Sequence, residues 1–195
     1  MRFKIKSTDI SVSFSFLLSF LVCALADRLN LFSETLSASL IHETVHIILI
    51  LLFKDGISEI SFNIFGGKIK KANRKILSNN QEALINLCAP LFNIFLGLAS
   101  LIFSRKCYWA YVNIFIGVFN ILPFYSFDGG RAIFFLLCNK VELKTAKAIV
   151  YSMSFAVCLS FIALSVTAYI RYRKNIFFLI MSTYMIVSLF LFEKL

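Results

Sequence analysis

The chain has 195 residues, of which 59% are apolar and 15% charged. A soluble domain runs nearer ~45–50% apolar and ~25% charged, which argues against an ordinary cytosolic fold. Two Pro and seven Gly beside 23 Phe exclude a disordered or collagen-like chain. The net charge of +10 is scattered between apolar runs, so it points to loops facing anionic lipid and to no nucleic-acid partner.

Six apolar stretches follow in chain order, about 10–26, 33–53, 82–103, 109–127, 148–170 and 176–193. Each is near the ~20 residues that a bilayer span needs. The first follows the basic segment Met1 to Lys6 and could be a signal peptide. No clear cleavage site stands out around Cys23-Ala24-Leu25-Ala26, so an uncleaved first helix is expected. With the N-terminus inside, loop Lys and Arg divide as 14 cytoplasmic against 6 external. That bias supports six spans with both termini cytoplasmic in a cell membrane, bacterial by expectation. The expected fold class is an all-α polytopic membrane protein, one membrane-embedded domain over residues 1–195. The five cysteines form no C-x-x-C pair and read as small apolar residues.

The loop from Lys54 to Asn80 alternates apolar and polar residues at Ile60, Phe62 and Ile64, breaks at Gly66-Gly67, and resumes at Lys68-Ile69-Lys70. The pattern predicts a short β-hairpin between the second and third spans, turning at the glycines. It would offer an edge strand to an unwound client. Ser78 to Asn80 supply N-cap oxygens for the third span.

The second span contains His42-Glu43-Thr44-Val45-His46, an H-E-x-x-H pattern. Positions i and i+4 share a helix face, so both imidazoles can bind one metal while Glu43 serves as general base. These are the only two histidines in the chain. They lie in an apolar span, where ionisable groups are costly and usually functional. A catalytic zinc commonly takes three protein ligands, so a carboxylate or thiolate should complete the set. Asp27, Glu34, Glu82 and Asp128 are the acids near spans. Asp128 is preferred: its span runs in the same direction as the histidines' span, and Gly129-Gly130 behind it permits close backbone approach.

His42-Glu43-Thr44-Val45-His46 together with Asn120-Ile121-Leu122-Pro123 and Asp128-Gly129-Gly130 resembles the site-2 protease family of intramembrane zinc metalloproteases, peptidase family M50. Pro90-Leu91-Phe92-Asn93 is similar to that family's G-P-x-x-N, with Ala89 in place of the glycine. The resemblance implies that His42, His46 and Asp128 bind one Zn2+ and that Glu43 is the catalytic base. It also implies that Asn93 and Asn120 help position substrate. The substrate would be a membrane-tethered protein cut near the cytoplasmic side, with a membrane regulator as a further partner. Only 81 residues separate His46 from Asp128, too few for the PDZ domain of many bacterial members. The layout looks most like the stage IV sporulation protein FB group, without its CBS domain, and a sporulation sigma-factor precursor is that group's client. A catalytically silent membrane scaffold and a zinc transporter stay open as alternatives.

Overall fold

The structure is a computed structural model that describes residues 2–5, 8–14, 24–25, 31–63, 66–72, 76–103, 107–172 and 176–192. Its contacts divide the chain into two compact units, residues 1–119 and 120–195.

In the first unit, strands β1 (Arg2–Ile5) and β2 (Thr8–Val12) precede helix α1 (Phe32–Leu52). Strands β3 (Ile57–Asn63) and β4 (Gly66–Lys71) follow, then helices α2 (Asn79–Phe103) and α3 (Tyr108–Ile121), whose last turn enters the second unit. The strands form one sheet in the order β1-β2-β3-β4, parallel between β2 and β3 and antiparallel elsewhere. The sequence pattern predicts a lone hairpin; the N-terminal residues in fact add two strands to it. Residues 10–12, counted above with the first span, belong to β2, and most of that span lies outside the described residues. The alternation of Asp9 and Ser11 with Ile10 and Val12 is a strand signal hidden by the longer apolar run behind it.

Gly66 pairs with Asn63 and Gly67 with Phe62, so both glycines sit in β4 rather than at the turn. A bulge between Ile57 and Glu59 inserts one extra residue into β3. It lets Ile57 and Ile60 pack into one apolar cluster with Ile50 and Ile85 despite their odd spacing. The opposite face is polar. Lys70 Nζ donates to Glu59 Oε2 at 2.6 Å, and Ser11 Oγ donates to Glu59 Oε1 at 3.4 Å. Because β2 occupies the other flank of β3, the open edge of the hairpin among the described residues is β4, not β3.

Two residues past the end of α1, Lys54 adopts φ of 62°, the left-handed geometry more often given to glycine. Its N–H donates to Leu51 O and the Asp55 N–H to Ile50 O, so the last carbonyls are satisfied and the chain turns straight into β3. α2 opens on a reciprocal cap: Ser78 N–H donates to Gln81 Oε1 at 2.9 Å and Gln81 N–H to Ser78 Oγ at 3.3 Å. α2 and α3 then approach closely at two glycines. A Cβ on Gly97 would lie 2.7 Å from Ala110 O, and one on Gly117 would lie 2.5 Å from Pro90 O.

The second unit holds α4 (Asp128–Cys138), α5 (Leu143–Tyr172) and α6 (Ile176–Phe192). α1, α2 and α5 are long and apolar enough to cross a membrane, whereas α3 and the 179–189 stretch are shorter apolar helices. The fourth expected span, 109–127, is cut short because α3 stops at Ile121, ahead of Pro123. Exposed Leu98, Phe115, Phe155 and Leu164 leave these helices an apolar surface of the kind lipid covers. The four cysteines among the described residues are free.

Gly117→Ala is expected to destabilise the first unit by about 1–3 kcal/mol, because the added methyl meets a backbone oxygen that cannot rotate away. Thermal unfolding in detergent measures this. An unchanged midpoint would mean that α2 and α3 are not packed so closely.

Candidate metal centre

His42 and His46 lie one turn apart on α1, and the helix alone puts their rings on one face. Their neighbours on α2 set the tautomer of each ring. His42 Nδ1 is 3.1 Å from Asn93 Oδ1, and His46 Nδ1 is 3.0 Å from Ile85 O. Both partners come from α2 and both are oxygens, so each Nδ1 carries the proton and donates. Each Nε2 is then left with its lone pair.

The amide of Asn93 has its orientation fixed in turn. Its Nδ2 donates to Ala38 O at 3.2 Å and to Asn113 Oδ1 at 2.9 Å. Asn113 is held by Nδ2 donating to Trp109 O at 2.9 Å, and Trp109 Nε1 donates to Ser37 Oγ at 2.9 Å. Flipping Asn93 would set its amide oxygen against Ala38 O, and flipping Asn113 would set its amide oxygen against Trp109 O, acceptor against acceptor in both cases. The relay therefore runs from α3 through α2 to the imidazole of His42. Asn93 and Asn113 are wholly buried.

The two Nε2 atoms stand 3.3 Å apart. Two lone pairs at that distance repel unless a cation lies between them. A tetrahedral zinc with Zn–N near ~2.0–2.1 Å requires its two nitrogens to be about 3.3–3.4 Å apart. The donor set and its spacing thus fit a zinc ion. Glu43 follows His42 on the same helix, half-buried and beside the sheet.

Asp128 opens α4 in the second unit and is 7% exposed. The segment before it is fixed from several sides. Phe124 is fully buried against the rings of Tyr125 and Phe127. The Tyr125 N–H donates to Ser154 Oγ at 2.8 Å, and the Tyr125 hydroxyl donates to Ser188 O. A Cβ on Gly129 would lie 2.0 Å from Ile121 O, so α4 can begin there only with glycine after Asp128. Asn120 sits in the last turn of α3, half-buried.

Sequence reasoning names Asn93 but misses Asn113, Trp109 and Ser37. The available signal is Asn113 itself, a polar amide in the middle of an apolar run, where such groups need a partner.

Residues 104–161 match the family model described as Peptidase family M50. No curated protein matches the chain. Among solved structures, the chain is similar to the Site-2 Protease from Methanocaldococcus jannaschii, with a TM-score of 0.68 and 21% sequence identity. That likeness covers 97% of this chain and 93% of the other, so the two share a fold over nearly their whole lengths. The matched family segment includes Asp128 and Asn120 and leaves out His42 and His46.

Asn113→Ala is expected to weaken Zn2+ binding by about 10–100-fold, because Asn93 is then free to turn its NH2 toward His42. Competition against a chromophoric chelator reads this directly. Unaltered affinity would show that the relay does not orient the imidazole.

Proposed function

We propose that this chain is an intramembrane zinc metalloprotease that hydrolyses a peptide bond of a membrane-tethered protein near the cytoplasmic side of the bilayer. The observation that carries the reading is the convergence of two Nε2 lone pairs, each with its Nδ1 committed to α2, beside a carboxylate on the same helix. The site-2 protease fold and the M50 segment support it. So do the three helices among the described residues that are long and apolar enough to cross a membrane. In this reading the protein lies in a bacterial cell membrane with six spans and both termini cytoplasmic, in line with the Lys and Arg bias.

His42 and His46 bind the zinc through Nε2, and Asp128 is the third ligand, its negative charge offsetting part of the ion's. Zinc, when bound, acts as a Lewis acid that acidifies water and polarises a peptide carbonyl. Glu43 takes a proton from the attacking water at a carboxylate oxygen and returns it to the leaving amine. Asn120 holds client backbone. Asn93, with both ends of its amide bonded to protein, acts on His42 rather than on the client. The resemblance to the stage IV sporulation protein FB group makes a sigma-factor precursor the first client to test.

The test is co-expression with a tethered client, scored by release of its cytoplasmic fragment. Glu43→Gln should lower release by about 10²–10⁴-fold while zinc content and client binding persist, because shape is kept and only the base is lost. His42→Ala and Asp128→Asn should lose zinc together with activity. Undiminished release from Glu43→Gln would end the protease reading, and a silent scaffold predicts that outcome for every cellular function.

A further inference from the structure

Ile10 pairs with Ile60 across β2 and β3, and Ile60 pairs with Ile69 across β3 and β4. The three side chains form one row across the sheet and line a cavity of about 200 Å³. The remaining lining among the described residues is Leu40, Glu43, Thr44 and Ile47, from the face of α1 that carries the proposed base. The wall is otherwise almost wholly apolar. Among the described residues the row is open at one end, because β4 is the edge of the sheet.

A strand added to β4 continues the row. The residue opposite Ile69 would point to the same face of the sheet, with its Cβ about 4.5–5.5 Å from that of Ile69. Its side chain would enter the cavity beside Glu43. An apolar cavity of about 150 Å³ accommodates benzene, so this space holds one branched aliphatic or phenyl side chain. A carboxylate there would be desolvated beside Glu43 and repelled by it. We infer that, on the protease reading above, the cavity is a specificity subsite for one Leu, Ile, Val or Phe side chain of an extended client segment, the residue in register with Ile69.

Two experiments test this with separate readouts. In a Glu43→Gln, Ile69→Cys protein, cysteines walked along the client should form disulfides at one position, with weaker capture two residues away on the same face. The wild-type chain, whose native cysteines remain, is the control. Uniform or absent capture across the client overturns the subsite whether or not cleavage occurs. Capture in register with no cleavage by the Glu43 protein instead overturns the protease reading and leaves docking intact. For cleavage, Leu→Ala at the captured client residue should lower kcat/KM by about 10–100-fold, and Leu→Asp should abolish it. Ile69→Phe, which fills the cavity, should invert the preference so that the Ala client is cut faster than the Leu client. Ile10→Ala, which enlarges it from an interior strand, should favour Phe over Leu. An unchanged order of clients with both variants overturns the proposal.

Discussion

Two imidazoles with their Nε2 lone pairs facing each other 3.3 Å apart need something that forces each ring into place and something positive that rewards the arrangement. Helix geometry alone brings His42 and His46 to one face, but leaves each ring free to rotate or change tautomer. α2 removes that freedom by presenting one oxygen to each Nδ1. The two acceptors differ in kind. Ile85 O is a main-chain carbonyl in the helix just ahead of Pro90, while Asn93 is a side chain that could turn either way. This difference is why only one histidine needs a relay behind it.

The relay depends in turn on how close two helices can come. Asn93 and Asn113 face each other across α2 and α3, and a glycine lies on either side of that contact. With a side chain at Gly97 or Gly117 the helices would be pushed apart, and the 2.9 Å amide bond would stretch beyond useful length. In apolar surroundings an amide without partners costs several kcal/mol, so the close crossing and the polar pair are only stable together. Small residues let the backbones meet, and the amides then join them.

How much of this could be read from the sequence depended on range. The spacing of His42 and His46 is a local property of a helix and needs no tertiary information. Ser78 and Gln81 likewise announce the start of α2 within four residues. Asn93 could be singled out only through a motif, since nothing in the local sequence says which ring it meets 51 positions away. Asn113 belongs to the same network but depends on a helix crossing that no local pattern encodes. The N-terminal strands were missed for a related reason. β2 lies parallel to β3, and Thr8 Oγ1 donates to Ile57 O across 49 positions, so their alternation has no local partner to confirm it. For the fourth span, Pro123 marked the break, yet the apolar residues that follow it belong to a packed turn rather than to a continued helix.

α2 also ties the sheet to the histidines. In its first turn Glu82 forms an ion pair with Lys71, the last residue of β4. One turn on, Ile85 O holds His46, and two turns beyond that Asn93 holds His42. A single helix therefore sets the position of the β4 edge relative to both Nε2 atoms. α1 contributes the same constraint from its other end, because Lys54 turns the chain into β3 without a long loop. A helical client keeps its carbonyls in intrachain bonds, and unwinding it in an apolar medium leaves each peptide group without a partner. On the protease reading, an edge fixed at a set distance from Glu43 would supply replacement bonds to the unwound segment at the point where hydrolysis needs an exposed carbonyl. On the protease reading, the sheet is thus part of the catalytic apparatus, and β2 matters because, by occupying the inner flank of β3, it leaves β4 as the hairpin strand a client can join.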